Sequence, residues 1–241
     1  DVQVGKSVTV GAGAGFGRDV SDVGANGSRS SGSARSAFIY GSFQPGAGFY
    51  VDGVAGVGDL SFRSRRYIPA LETVATGKRE GEMQFGSVSG GYAFQRDRLQ
   101  IVPYGRLEAV AGSLGGFSEE GPEFYELQFS GQDLEEVTAT VGLRADYLVR
   151  LAKGDLSPRL RVEYQRNLRS RGATSVRYAD WEEGPLYELL NPISDDDRLN
   201  LGLGLGWRLR SGWLFSLDVD TNAANGDVGS TNIRIGGSGS F

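Results

Sequence analysis

The residues in this chain best equipped for chemistry are carboxylates that stand side by side: Glu119-Glu120, Glu135-Glu136, Glu182-Glu183 and Asp195-Asp196-Asp197. Two carboxylates at close range can divide acid from base work or collect a hard cation. On polar, loop-like stretches such neighbours more often serve as solvated charge, which is the reading taken here. The Asp195 run also lacks the alternating oxygen ligands and the glycine of a calcium loop. The sequence contains no His, so a His-dependent triad or dyad has no base and no catalytic residue is expected. It contains no Cys, which excludes thiol chemistry and disulfides. Gly11-Ala12-Gly13-Ala14-Gly15 and Gly202-Leu203-Gly204-Leu205-Gly206 have dinucleotide-like spacing, but neither opens a helix in a βαβ unit. No cofactor or metal site follows from them. Inward glycine in a sheet leaves room instead for a plug or a close-packed neighbour.

What these residues are mounted on is clearest at the end of the chain, from Arg198 to Phe241. Leu199, Leu201, Leu203, Leu205, Trp207 and Leu209 alternate with Asn200, Gly202, Gly204, Gly206 and Arg208. After the Arg210-Ser211-Gly212 turn, Trp213, Phe215, Leu217 and Val219 alternate with Leu214, Ser216, Asp218 and Asp220. Period two marks a strand with one apolar and one polar face. The apolar face is bulky, and the other is glycine, serine, asparagine and charge. A soluble barrel would fill its interior with the bulky face, whereas a membrane barrel turns that face to lipid and the polar face to a wet lumen. The second arrangement is expected here. The 38 glycines far exceed the usual share of about 7%. A mean hydropathy of −0.28 carries little weight, because lumen residues dilute the signal of a barrel strand.

Taken in order, the first strand covers Ser7–Gly17, with Val8, Val10, Ala12, Ala14 and Phe16 on its apolar side. Arg18–Ala34 reads as a polar loop. Strands follow at Arg35–Phe43, Phe49–Arg65, Glu82–Gln95, Leu99–Leu114, Leu134–Arg150 and Leu156–Asn167, before three more in the closing hairpins. Connections alternate in length. Gln44–Gly48, Arg96–Arg98, Ala152–Asp155 and Arg210–Gly212 are short; Arg66–Gly81, Gly115–Asp133 and Leu168–Asp197 are long. Outer-membrane barrels have short periplasmic turns and long external loops, which puts Asp1 and Phe241 on the periplasmic side. Trp207 and Trp213 flank a short turn on the apolar face, where an interfacial girdle belongs. The sequence thus predicts an all-β, antiparallel transmembrane barrel with ten strands visible. Asp1-Val2-Gln3-Val4 reads as the end of a preceding strand, so the chain is taken as one N-terminally truncated domain, residues 1–241, of a twelve-stranded whole.

The polar face gathers Arg106, Glu108, Arg144, Asp146, Arg159, Arg161, Glu163, Arg208, Asp218, Asp220 and Arg234. Opposite charges on neighbouring strands can bridge. The set is expected to form a structural network that holds the wall and keeps it wet, and it also suits a hydrophilic path or a cradle for a plug helix. Arg63-Ser64-Arg65-Arg66 sits at an external strand end, as a solvated rim that could also meet lipopolysaccharide phosphates. A net charge of −5 speaks against a nucleic-acid partner.

Several segments, in order, resemble the C-terminal translocator domain of the autotransporters, the type V secreted proteins of Gram-negative bacteria. They are Phe38-Ile39-Tyr40-Gly41-Ser42-Phe43 with Phe49-Tyr50-Val51-Asp52-Gly53, then Pro103-Tyr104-Gly105-Arg106-Leu107-Glu108 and Phe117-Ser118-Glu119-Glu120-Gly121. Val141-Gly142-Leu143-Arg144, Pro158-Arg159-Leu160-Arg161-Val162-Glu163-Tyr164 and the terminal Phe241 complete the likeness. The resemblance implies an outer-membrane anchor that helps export an N-terminal passenger. Its implied partners are outer-membrane lipid and lipopolysaccharide, the barrel assembly machinery, and an upstream plug helix and passenger. It also implies a terminal assembly signal carried by Ile233, Ile235 and Phe241, with Gly237 and Gly239 where bulkier residues are usual. Neither the plug helix nor the first hairpin is recognisable in this sequence. Two rival functions fit the same residues. One is a porin-like channel for small polar solutes; the other is a surface-binding barrel using its external loops, above all Leu168–Asp197 with Tyr178, Trp181 and Tyr187.

Overall fold

The computed structural model describes residues 1–24, 26–181, 183–190, 197–224 and 227–239. The described chain is almost entirely strand. In order it forms β1 (Val2–Val4), β2 (Val8–Val23), β3 (Ser28–Gly46), β4 (Phe49–Ile68), a 3₁₀ turn (Pro69–Leu71), β5 (Thr73–Tyr92), β6 (Phe94–Arg96), β7 (Leu99–Leu114), β8 (Phe117–Ser118) and β9 (Leu127–Phe129). There follow β10 (Gln132–Tyr147), β11 (Val149–Leu151), β12 (Gly154–Tyr178), β13 (Tyr187–Leu190), β14 (Arg198–Leu209), β15 (Trp213–Ala224) and β16 (Asp227–Gly239). The wall runs β1-β2-β3-β4-β5-β7-β10-β12-β14-β15-β16, antiparallel throughout. Each wall strand pairs with the next wall strand along the chain, the meander by which barrels are built. Among the described residues no ladder joins β1 to β16.

Burial is inverted relative to a soluble protein. Ile39 and Leu203 are 65% and 62% exposed, while Thr140 and Glu163 are 2% and 4% exposed. The bulky residues therefore stand on the outer surface and the polar ones on the inner, as lipid outside and water inside demand. On the outer face charged residues take over beyond the apolar band: Arg18 after Phe16, Arg35 before Ala37 and, paired with Arg35, Asp59 after Val57, with Glu135 before Val137. At the opposite edge Phe43, Phe49, Tyr92, Phe94, Tyr147, Trp207 and Trp213 face outward and exposed near the short turns. Aromatic rings at that edge match the interfacial girdle of such barrels.

The structure corrects the length of several elements. The polar stretch 18–34 is not a loop: β2 and β3 stay paired from Val8↔Phe43 up to Val23↔Ser28. The hairpin turns where Gly24 and Gly27 adopt φ of +69° and +79°. Much of 66–81 likewise belongs to β4 and β5, and β12 continues to Tyr178 rather than stopping near Asn167. Beyond the apolar band both faces of a strand are wet, so the alternation that reveals a strand disappears while its backbone ladder continues. Strand β1, paired Val2↔Val10 to Val4↔Val8, occupies the place expected of a preceding strand.

Candidate functional site: the inner wall and its mouth

The inner wall is organised by glycines that let side chains cross a whole strand. Strands lie about 4.8 Å apart, so groups two strands apart meet only if the residue between them has no Cβ to block the way. Gly204 of β14 lies between Arg159 of β12 and Asp218 of β15, whose side chains meet at 3.0 Å. Gly202 lies between Arg161 and Asp220, which meet at 2.7 Å, and Arg234 of β16 reaches Asp220 from the far side at 2.6 Å. Over Gly142 of β10, the Tyr104 hydroxyl donates to Glu163 at 2.6 Å. Arg106 and Arg161 stand 3.7 and 4.0 Å from the same carboxylate. Arg106–Glu108 at 3.0 Å and Arg144–Asp146 at 3.5 Å are pairs within one strand. Arg208 is exposed at the short-turn end of β14.

Glu163 is the buried end of this network, and the other charged members range from partly to well exposed, so most pairs contribute little each. Glu163→Leu removes the acceptor of the Tyr104 hydroxyl and the carboxylate near Arg106 and Arg161. It is expected to destabilise the folded barrel by about 1–3 kcal/mol, read from the urea midpoint of refolding in lipid vesicles. Arg234→Gln, at a side chain 71% exposed, should shift that midpoint far less.

Rings fill other inward glycine positions. Phe38 and Tyr40 of β3 lie over Gly13 and Gly11, and Phe85 of β5 lies over Gly56. Of the two uses foreseen for inward glycine, these positions show the close-packed neighbour. The signal was present in sequence as Gly11-x-Gly13 facing Phe38-x-Tyr40, but reading it required the register. On the outer face the same device explains the terminal strand: the Trp213 ring lies against Gly239 and Phe215 against Gly237. Rings of β15 thus supply the bulk that β16 lacks. Ile233 and Ile235 face outward opposite Val219 and Leu217. Phe241 lies outside the described residues.

The mouth holds a pair that the sequence did not disclose. Glu119 is only 4% exposed, not the solvated charge expected of a loop carboxylate. Arg66 donates from Nε to Glu119 Oε1 at 3.0 Å and from Nη2 to the Tyr125 carbonyl at 2.7 Å. That hydrogen bond to Glu119 holds the Arg66 pKa above its ordinary value. Of the basic cluster, Arg66 thus turns inward, while Arg63 and Arg65 fall on the outward-facing positions of β4. The segment 115–131 is drawn against the inner wall, with Glu120 bridged to Thr76 and β9 paired with β12. Arg66→Gln should release this segment, giving faster amide exchange over 115–131 with the exchange of β14 and β15 unchanged. Glu135 is ion-paired to Arg169 at 2.6 Å on the outer face. Glu182, Asp195 and Asp196 lie outside the described residues. Among the described residues no cluster of metal-ligating side chains occurs, and Tyr178, Trp181 and Tyr187 are exposed around the hairpin of β12 and β13.

An antiparallel sheet that is apolar and bulky outside, charged and glycine-lined inside, and girdled by aromatics defines a β-barrel of the Gram-negative outer membrane. The family model described as Autotransporter beta-domain matches residues 1–220, and the chain belongs to that family. Its role is that of an outer-membrane anchor and translocator for an exported passenger. The fold is similar to the translocator domain of the autotransporter NalP from Neisseria meningitidis, with TM-score 0.71, 17% identity, and 98% of this chain and 76% of that one covered. It is also similar to the beta domain of the Bordetella autotransporter BrkA, with TM-score 0.57, 15% identity, and coverage of 98% and 84%. No curated protein sequence matches the chain.

Proposed function

We propose that the passenger leaves through the interior of this barrel, along the charged wall formed by Arg106, Glu108, Arg144, Asp146, Arg159, Arg161, Glu163, Asp218, Asp220 and Arg234. The observation that carries this reading is the pairing of inward charges with one another: Arg159–Asp218 and Arg161–Asp220 over Gly204 and Gly202, together with Arg106–Glu108, Arg144–Asp146 and Arg234–Asp220. A wall whose charges are mutually satisfied offers water and weak contacts to a moving chain, without a deep trap for either sign. The barrel acts without catalysis and without a cofactor. Among the described residues the edges of β1 and β16 are unpaired, which supports closure by upstream residues that extend β1 and add one strand before it, giving twelve strands in all. Arg63 and Arg65 would meet lipopolysaccharide phosphates from the outer rim, and the assembly machinery would read the end of the chain, with Ile233, Ile235 and Phe241 in that role.

The test joins the native upstream residues, tagged at their far end, to this domain and adds protease to intact cells. Loss of the tag, dependent on the domain, is the expected result. A protected tag above a correctly inserted barrel would favour a solute channel instead.

A further inference from the structure

Above the apolar band, the inner wall of β3, β4 and β5 and the inward-folded segment carrying β8 and β9 enclose a cavity of about 460 Å³. Phe62, Leu114, Phe117 and Phe129 give it apolar walls, with Phe117 and Phe129 stacked at 4.8 Å and 8°. Arg66 and Arg79 reach it from inward-facing positions, and Glu119 is the one carboxylate lining it among the described residues. Arg66 is already committed to Glu119. Among the described residues Arg79 has no such counter-charge. Its Nη2 donates to the neutral Gln132 amide at 3.3 Å, its Cζ lies 5.9 Å from the Phe117 ring centroid, and its Nε is buried without a hydrogen-bond partner. Burial pushes the Arg79 pKa below its ordinary value. A guanidinium edge left unsatisfied beside stacked rings costs free energy until an anion arrives.

We propose that this cavity is a holding site for a peptide carboxylate next to an apolar side chain, on a segment passing outward through the barrel. The carboxylate would accept a charge-assisted hydrogen bond from the Arg79 guanidinium. The apolar neighbour would rest on Phe117 and Phe129. A peptide is favoured over a free solute because the cavity opens on the mouth through which the passenger leaves, so the site rests on the translocator reading. The charge balance fixes the sign of the ligand and the rings fix its body.

The test uses the barrel with its native upstream residues in lipid nanodiscs, titrated with N-acetyl-Asp-Phe-amide and followed by saturation-transfer NMR against empty nanodiscs. The Asp peptide should bind, and the matching Asn-Phe peptide should bind about tenfold more weakly or worse, the scale of one charged hydrogen bond. Arg79→Gln should abolish that preference, Arg79→Lys should keep part of it, and Phe117→Leu should weaken both peptides. Heat-modifiable gel mobility confirms that each variant is folded. Equal binding of the two peptides, an unchanged preference in Arg79→Gln, or no binding at all would overturn the proposal. So would binding of 4-phenylbutyrate in place of the peptide, which would assign the cavity to a small solute. Surface exposure of the passenger tag is scored separately, so failure of the site and failure of export are distinct results.

Discussion

Leu203→Arg is expected to weaken insertion of the barrel into lipid by about 2–4 kcal/mol, the cost of a cation near the bilayer midplane. Leu203 is 62% exposed on the outer face, between Leu160 and Val219 in the ladder and midway along β14. The neighbouring Gly204→Arg turns to the other face and should cost far less. A Cβ there would lie 2.6 Å from Asp218 Oδ1 and 3.0 Å from Arg159 Nε. Those are the far ends of flexible side chains that can swing aside, at the expense of one half-exposed ion pair, up to about 1 kcal/mol. The new guanidinium would also stand in the lumen and narrow it. Urea-dependent folding of both variants into vesicles measures the difference, and equal defects would overturn the assignment of inside and outside.

Gly154→Ala should be nearly as damaging, for a wholly different reason. Gly154 opens β12 at φ +149°, a backbone conformation that side-chain-bearing residues rarely adopt. A Cβ on it would collide with the Arg208 carbonyl and crowd the Leu209 Cα at 2.9 Å. Both belong to the backbone of β14, paired at Gly154↔Leu209, and cannot rotate away. Strain of this class costs about 1–3 kcal/mol, and relief would require opening the end of the β12–β14 ladder. Lys153→Ala, at the adjacent turn position, serves as the control, and its folding midpoint should stay near that of the unaltered chain.

The membrane-spanning part of the fold was legible because lipid enforces period two. Wherever one face meets lipid and the other water, as from Leu199 to Leu209, the residue types alone give strand, face and orientation. Leu99–Leu114 was read to the residue. Where lipid stops, so does the signal, and the extensions of β2, β3, β5 and β12 passed for loops. The inner charges were legible as a group, but not who pairs with whom. Arg159 and Asp218 are 59 residues apart and separated by a strand, and only register with Gly204 between them makes the contact. Arg66 and Glu119 are harder still. Each stands in a run of similar residues, Arg63 to Arg66 and Glu119-Glu120, and nothing local distinguishes the buried member from the exposed one.

The rim of this barrel is uneven. On β2 the outward face turns charged at Arg18, just past Phe16, and the paired strand continues to Val23, about 20–25 Å beyond Phe16 at 3.3 Å per residue. On β12 the ladder passes its last partner on β14, at Gln165↔Arg198, and runs on to Tyr178. β14, by contrast, begins at Arg198, one residue before its first outward leucine. Among the described residues, the wall along β2 to β5 and β12 therefore stands well clear of the membrane, while β14 starts close to the lipid surface. A passenger taking the proposed interior route would meet, along β2 to β5 and β12, a wall that accompanies it beyond the bilayer.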